Sequence, residues 1–496
     1  MAFPYDQQAW LQKIDSVIAR GPYSAEWDSL SAHETPRWFR DAKLGIFIHW
    51  GVYSVPAFAN EWYSRNMYIQ GTREYDHHVA VYGPQKEFGY KDFIPMFRAE
   101  KFDPAQWISL FKRAGAKYVV PVAEHHDGFQ MYRSELSHWN AAEMGPGRDV
   151  VGELTDEARR QGLVNGLSTH RIEHWFFMGG GRAFESDITD AEGPGDFYWP
   201  AVKEQPENMD SLFCEPVPTE EFLNDWMIRT CELIDRMRPR ELYFDWWIQQ
   251  AAARPYLRKI AAYYYNRAEE WGTDVLIAYK HDAFMFGTAL VDIERGQFSD
   301  VQSFPWQTDT AIAKNSWCYT EGNDYKKPWS LLCDLVDVVS KNGTMLLNVG
   351  PKSDGTISPE DTRVLEAIGD WLAVNGEAIY ASRPWRYAGE GPTKQEQGQF
   401  TDGKDKVYTA EDFRFTVNHG KLYAIALRYP EEGRVLIRSL ARAEHTADSP
   451  SFTLVKDVDV IGFAEKPDFV QTEKGLEIRT ENVRSENPVV FRITLE

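Results

Sequence analysis

Short apolar runs that each end on a titratable side chain recur along this chain, separated by stretches of helical period. Residues 44–48 lead into His49, 117–123 into Glu124-His125-His126-Asp127, 163–169 into His170, 241–244 into Asp245 and 275–279 into Lys280. Runs this short and apolar are strands covered on both faces, and strands alternating with helices predict a parallel sheet with helices packed outside it. Weaker runs at 290–293, just before Glu294, and at 301–303, with a clear one at 344–349, bring the strands to eight. Eight such units over residues 37–388 predict an α/β fold, a (β/α)8-like (TIM-type) barrel. An open doubly wound sheet is the alternative, and the chain lacks the Gly-rich phosphate turn that such a sheet carries after its first strand.

Helix signals fall between these runs. Asp103-Pro104 opens a helix with Trp107, Ile108 and Phe111 on one face, and Asp149 caps another that stops at Gly162. Residues 219–237 and 254–271 have helical period, 331–339 form a buried helix closed by Gly343, and Ser358-Pro359-Glu360-Asp361 opens one that runs to Gly376. Residues 1–36 read as a helical preface with Trp10, Ile14 and Ile18 on one face. Beyond 389 the period changes to two, with strands at 421–427, 434–437 and 489–495, so residues 389–496 are expected to form a C-terminal β-sandwich. Two irregular stretches are too long for simple connections: 52–100 is expected to be a functional loop, and 178–210 either a specificity loop or a disordered surface insertion.

Charge excludes some partners. With 75 acidic against 54 basic residues the net charge is −21, which repels nucleic acid and anionic membrane surfaces. No apolar run is long enough to cross a bilayer, and the N-terminal residues lack a basic start followed by an apolar core. A cytoplasmic chain is therefore expected, although a leader removed earlier would leave the same start. Cys214, Cys231, Cys318 and Cys333 form no CxxC pair, so neither a zinc site nor a disulfide framework is implied. Self-association into a homo-oligomer is left open.

On a barrel, His49, His125, His126, His170, Asp245 and Glu294 point into one cavity at the C-terminal ends of the strands, joined by Trp62 from the long first loop. One chemistry such a set supports is metal-dependent hydrolysis. Its spacing evidence is poor, because HxH and HExxH are absent and adjacent histidines turn to one ion with difficulty. The other is glycoside hydrolysis, in which two carboxyls in different protonation states flank a sugar bond. Asp245, after a strongly apolar strand, suits a fixed nucleophile, and Glu294, from another strand end, suits a proton donor. Each also has a plain structural reading: Asp245 as a strand-end cap, Glu294 as a partner of Arg295. Glu61, Glu124 and Glu173 compete for the donor's role.

Several longer motifs resemble one family. They are WFRDAKLGIFIHWGVYSVPAFANEWYS (38–64), EHHDGF (124–129), DFYWPA (196–201), LYFDWW (242–247), SWCYTEGNDYK (316–326) and NGTMLLNVGPKSDGTI (342–357). Together they resemble the α-L-fucosidases of glycoside hydrolase family 29. The resemblance implies a retaining, metal-free and cofactor-free exo-glycosidase acting on fucosylated oligosaccharides or glycoconjugates. It implies Asp245 as nucleophile, with His49, Glu61, Trp62, His125 and His126 around the sugar. The family's acid/base is less uniformly placed, and Glu294 in DIERG is assigned to that role from its position between the fifth strand and PWQTDT, while Tyr243 falls within a matching motif and is expected at the substrate site. Two departures stand out. Where many members carry a Tyr after the third strand, this chain has LSTHRIEHW, so Ser168 or His170 is expected in its place. Where many carry Asn-Asp-Arg after the fifth, it has Tyr279-Lys280-His281-Asp282, so the missing cation is expected from Lys280 or Arg295. A carbohydrate-binding protein with little turnover is the non-enzymatic alternative.

Overall fold

A computed structural model describes residues 3–189, 193–204, 211–213, 215–402, 406–443 and 453–496. Eight parallel strands close into a barrel in chain order: β1 (Leu44–Ile48), β2 (Tyr118–Glu124), β3 (Val164–Thr169), β4 (Glu241–Phe244), β5 (Leu276–Tyr279), β6 (Leu290–Glu294), β7 (Trp306–Ala311) and β8 (Gly343–Val349). β8 pairs with β1, with Phe47 opposite Asn348, and so completes the ring.

The seventh strand corrects the sequence reading, which put it at 301–303. Its residues Trp-Gln-Thr-Asp-Thr-Ala are all buried, but Gln307 and Asp309 point into the barrel, so no apolar run marks it. The alternation also lapses. Among the described residues no helix follows β5 or β6, and loops 280–289 and 295–305 make those connections instead. The helix before β8 is Pro328–Ser340, and Gly343 opens the strand rather than closing the helix.

The barrel interior has an apolar sector and a polar one. Phe47, Val120, Val122, Ala278 and Leu346 pack together inside the ring. Tyr118 joins them because Gly45 on the neighbouring strand leaves it room; a Cβ there would lie 2.3 Å from the Tyr118 ring. The Tyr118 hydroxyl donates to Gln307 Oε1 at 2.8 Å, and Gln307 Nε2 donates to Glu241 Oε1 at 3.0 Å. Higher in the barrel the Tyr243 hydroxyl donates to Asp309 Oδ2 at 2.7 Å.

The helix caps form as their residues dictate. The Asp103 carboxylate accepts from the Ala105 and Gln106 N–H groups, and Ser358 Oγ accepts from the Asp361 N–H at 3.0 Å. The preface helix Gln7–Arg20 packs on helices Glu220–Met237 and Arg254–Trp271 through buried Ile14 and Val17, whereas Trp10 and Ile18 are only partly covered.

The C-terminal region has two antiparallel sheets. β9 (Arg383–Glu390), β10 (Phe413–Asn418), β11 (Lys421–Ala426), β13 (Val455–Val460) and β16 (Val489–Leu495) form one, in the order β13-β16-β11-β10-β9. β12 (Arg434–Ile437), β14 (Asp468–Thr472) and β15 (Gly475–Arg479) form the other. The expected boundary between 388 and 389 falls inside β9, so the sandwich sheet begins slightly earlier in the chain. The sandwich docks on helix Pro328–Ser340, where the Asp337 carboxylate takes Arg414 of β10 and Lys341, and Trp329 Nε1 donates to the Leu427 carbonyl at 3.0 Å. Cys231, Cys318 and Cys333 are free and buried; Cys214 and parts of the 178–210 stretch lie outside the described residues.

Candidate active site

Alternate residues of each strand face the barrel axis, and at the C-terminal rim this period delivers His170 after β3, Asp245 after β4, Lys280 after β5 and Glu294 at the end of β6. They border a cavity of about 680 Å³ together with His49, Glu61, Trp62, His125, His126 and Tyr243. Ten of the eleven expected site residues therefore meet in one place. The exception is Arg295. Its guanidinium lies 4.5 Å over the Trp317 ring and reaches the Ala313 and Ser316 carbonyls and Asp402, which keeps it out of the cavity.

The residues at both departures from the resembled pattern lie around Asp245. His170 Nδ1 lies 2.8 Å from Asp245 Oδ2, and His170 Nε2 lies 2.9 Å from Ser168 Oγ. An ionised carboxylate only accepts, so Nδ1 carries the proton and Ser168 stands behind the ring rather than at the carboxylate. The cation is Lys280. Its Nζ sits 2.8 Å from Glu294 Oε2, 3.1 Å from Asp309 Oδ2 and 3.5 Å from Asp245 Oδ1. Since two sides of a triangle bound the third, those oxygens of Asp245 and Glu294 are at most about 6.3 Å apart.

One ammonium between two carboxyls leaves them in different states. Burial pushes Asp245 upward, but Lys280 and His170 overcome it and hold the carboxyl well below its ordinary value. Burial raises Glu294 to about 7 against the pull of Lys280, with the charges of Asp309 and Asp245 adding to the rise. Lys280 is pushed down by burial, but Asp309, Glu294, Asp245 and Asp292 outweigh this and keep it charged.

The remaining polar groups suit a neutral, hydroxyl-rich ligand. His49 Nδ1 is 2.7 Å from Asn348 Oδ1, and the Asn348 amide donates to the Trp317 carbonyl, so Nδ1 is the donor and Nε2 the acceptor. Burial holds His49 and His125 well below the ordinary imidazole value and lowers His126 to about 3, so all three are neutral. His125 Nδ1 is buried with no hydrogen-bond partner. Glu61 accepts from the Trp317 N–H at 3.0 Å, and the Trp62 ring stacks parallel to Trp246.

The competing carboxyls separate by partner. Glu124 is held by Arg171 at 2.7 Å and Arg229 at 3.1 Å, and Glu173 lies buried 3.2 Å from His126 Nδ1. Neither borders the cavity, whereas Glu61 and Glu294 do. Two triads bring donor atoms within 4.8 Å of one another, His49 with His125 and His170, and His126 with His170 and Asp245. Both need a nitrogen of His170, and its two nitrogens are already engaged with Asp245 and Ser168, so the donor set fits an ion poorly.

Sequence reasoning missed Asp309, Trp246, Trp317, Gln399 and Phe400, all at the cavity. Period two along β7 could have found Asp309. Nothing local marks Gln399 and Phe400, which arrive from the stretch between β9 and β10.

A family model described as Alpha-L-fucosidase matches residues 10–377. The tissue alpha-L-fucosidase of Homo sapiens is 31% identical over 427 residues, covering 84% of this chain and 81% of that one. That of Rattus norvegicus is 30% identical over 438 residues, covering 85% and 82%. The crystal structure of Thermotoga maritima alpha-fucosidase in complex with fucose superposes with a TM-score of 0.73 at 28% identity, covering 95% of this chain and 100% of the other.

Proposed function

This chain belongs to the alpha-L-fucosidase family of glycoside hydrolases, and from that premise we propose that it is a retaining exo-α-L-fucosidase acting on terminal fucosyl linkages of oligosaccharides or glycoconjugates. The observation that carries this reading is the pair Asp245 and Glu294 on either side of Lys280. Their facing oxygens are at most about 6.3 Å apart, one carboxyl held ionised and the other protonated up to about pH 7. Retaining enzymes hold their two carboxyls about 5 to 5.5 Å apart, whereas inverting enzymes leave about 6.5 to 9.5 Å for a water molecule.

In the proposed cycle an Asp245 oxygen attacks the anomeric carbon as the glycosidic bond breaks, and Glu294 gives its proton to the departing oxygen. Glu294, now a carboxylate, takes a proton from water; the hydroxide attacks the same carbon and frees Asp245 and fucose. Lys280 stays charged in both halves and compensates whichever carboxyl is negative. His170 fixes the Asp245 carboxylate. The neutral imidazoles of His49, His125 and His126 offer nitrogens to sugar hydroxyls, with Glu61 as a further acceptor and Trp62 as an apolar face for the ring and its methyl group.

The test is release of p-nitrophenol from p-nitrophenyl α-L-fucoside, with and without EDTA, beside the Asp245→Ala protein. Activity that resists EDTA and vanishes in the variant is expected. For Glu294→Ala, azide should restore turnover of an activated substrate; restoration at Glu61→Ala instead would move the donor's role.

A further inference from the structure

Between β9 and β10, described residues 391–402 run to the C-terminal rim of the barrel, where Gln399 and Phe400 border the cavity. Gly398 and Gln297 exchange backbone hydrogen bonds of 3.0 and 3.1 Å, and the Phe400 N–H donates to the Glu294 carbonyl at 2.9 Å. The Thr401 and Asp402 N–H groups both donate to the Arg295 carbonyl. Asp402 is anchored in turn by Lys326, Arg295 and the Thr310 hydroxyl. The crossing is tight: a Cβ on Gly296 would lie 1.8 Å from the Gly398 carbonyl oxygen.

Held on both sides in this way, Phe400 is 65% exposed while bordering the cavity that contains Asp245 and Glu294. Its φ of 55° lies in the left-handed region, which a bulky residue adopts only where its surroundings over-determine it. A lone exposed aromatic is ordinary on a protein surface. One that is strained, tethered to the backbone of the proposed proton donor and open to the cavity is not explained by folding.

The direction of the chemistry says what it meets. Glu294 must protonate the glycosidic oxygen, so the leaving group lies on the Glu294 side, next to the strand end to which Phe400 is tied. Trp62 and Trp246 stack with each other at a ring separation of 6.1 Å, and Trp246 follows Asp245, the residue that would take the fucosyl carbon.

We propose that Gln399 and Phe400 form a subsite for the leaving sugar, built from the segment between β9 and β10. The inference rests on the fucosidase reading above. Phe400 presents its ring to the C–H face of the pyranose that carries the fucose, and the Gln399 amide donates to and accepts from that sugar's hydroxyls. The sandwich region thereby contributes to specificity without touching the fucose. Binding energy from the remote sugar is expressed as rate.

The test compares two substrates. α-L-Fucosyl fluoride has no leaving sugar; of 2′- and 3-fucosyllactose, the one that the wild-type protein cleaves faster supplies it. Phe400→Ala should lower kcat/KM on the trisaccharide about tenfold and leave the fluoride unchanged, while Phe400→Trp should keep wild-type rates on both. Gln399→Ala should cost about threefold on the trisaccharide alone. Equal losses on both substrates, no loss on either, or a wild-type protein that cleaves the fluoride but neither trisaccharide would overturn the subsite. A wild-type protein inactive on the fluoride would instead sink the fucosidase reading itself.

Discussion

The two interiors of this molecule are built to opposite rules. Among the described residues the sandwich core is mainly apolar, with Phe413, Phe415, Leu422, Ile478, Phe491 and Ile493 between the sheets and its buried Tyr429 hydroxyl paired with Thr480. The barrel interior carries Glu241, Asp292, Gln307 and Asp309 beside its apolar side chains, and both Asp292 oxygens and one oxygen each of Glu241 and Asp309 have no hydrogen-bond partner. A buried carboxyl oxygen without a hydrogen bond costs about 1 to 3 kcal/mol, more when charged, and only Asp292 Oδ1 of the four has an ion-pair partner among the described residues, Lys280 Nζ at 4.0 Å, so a barrel built for stability alone would not hold them. The polar sector lies directly beneath Lys280, which touches Asp245 and Glu294 above and Asp309 and Asp292 below. The charge balance of the site sits in the barrel interior and not in the sandwich core.

Substitutions should separate the two accordingly. Asp245→Ala should lower kcat on the order of a thousandfold or more while the melting temperature hardly moves. Lys280→Met comes next, with kcat/KM falling about a hundredfold and stability by roughly 3 to 5 kcal/mol, because it strands buried carboxyls. Lys280 lowers both Asp245 and Glu294, so its loss should carry both limbs of the pH profile to higher pH. In the sandwich, Phe491→Ala should cost about 3 to 5 kcal/mol in denaturant unfolding with kcat unchanged below the melting transition. A loss of kcat there in folded protein would erase the distinction between the interiors.

Smaller effects sharpen it. Glu294 must be protonated to act as acid, so kcat/KM should fall as pH rises above about 7. Asp309 raises Glu294, so Asp309→Asn should move this alkaline limb to lower pH; a limb that stays in place would remove Asp309 from the account. Glu241 is raised by burial from its ordinary 4.5 to about 8. The fold therefore holds a proton that the unfolded chain releases, and its stabilising effect is full below about pH 4.5 and lost as pH rises to about 8. Melting temperatures of Glu241→Gln should gain on wild type by a few degrees across that range, an effect of about 1 kcal/mol or more.

How much of this was legible in the sequence follows from the same contrast. β1 to β5 and β8 announce themselves because their covered faces are apolar, and Asp245 was found because an apolar strand ends on it. β7 was placed too early because its inward residues are Gln307 and Asp309, so a buried strand looks like a loop when the barrel interior is polar. The pattern after the fifth strand showed that a cation was missing but not whether Lys280 or Arg295 supplied it. Only the turn at Arg295, with φ 45° and its guanidinium over Trp317, shows which one faces away. Phe400 lies more than a hundred residues from Glu294, and no local pattern reports which strand end a distant loop will cover.

The most direct test of the central assignment is to follow the anomeric proton of fucose by ¹H NMR in the first minutes of p-nitrophenyl α-L-fucoside hydrolysis, before mutarotation. A double displacement through Asp245 predicts that α-fucose appears first and β-fucose grows in later. If β-fucose appears first, Asp245 is not a nucleophile, and the close pairing of Asp245 and Glu294 has to be explained by a single displacement through water.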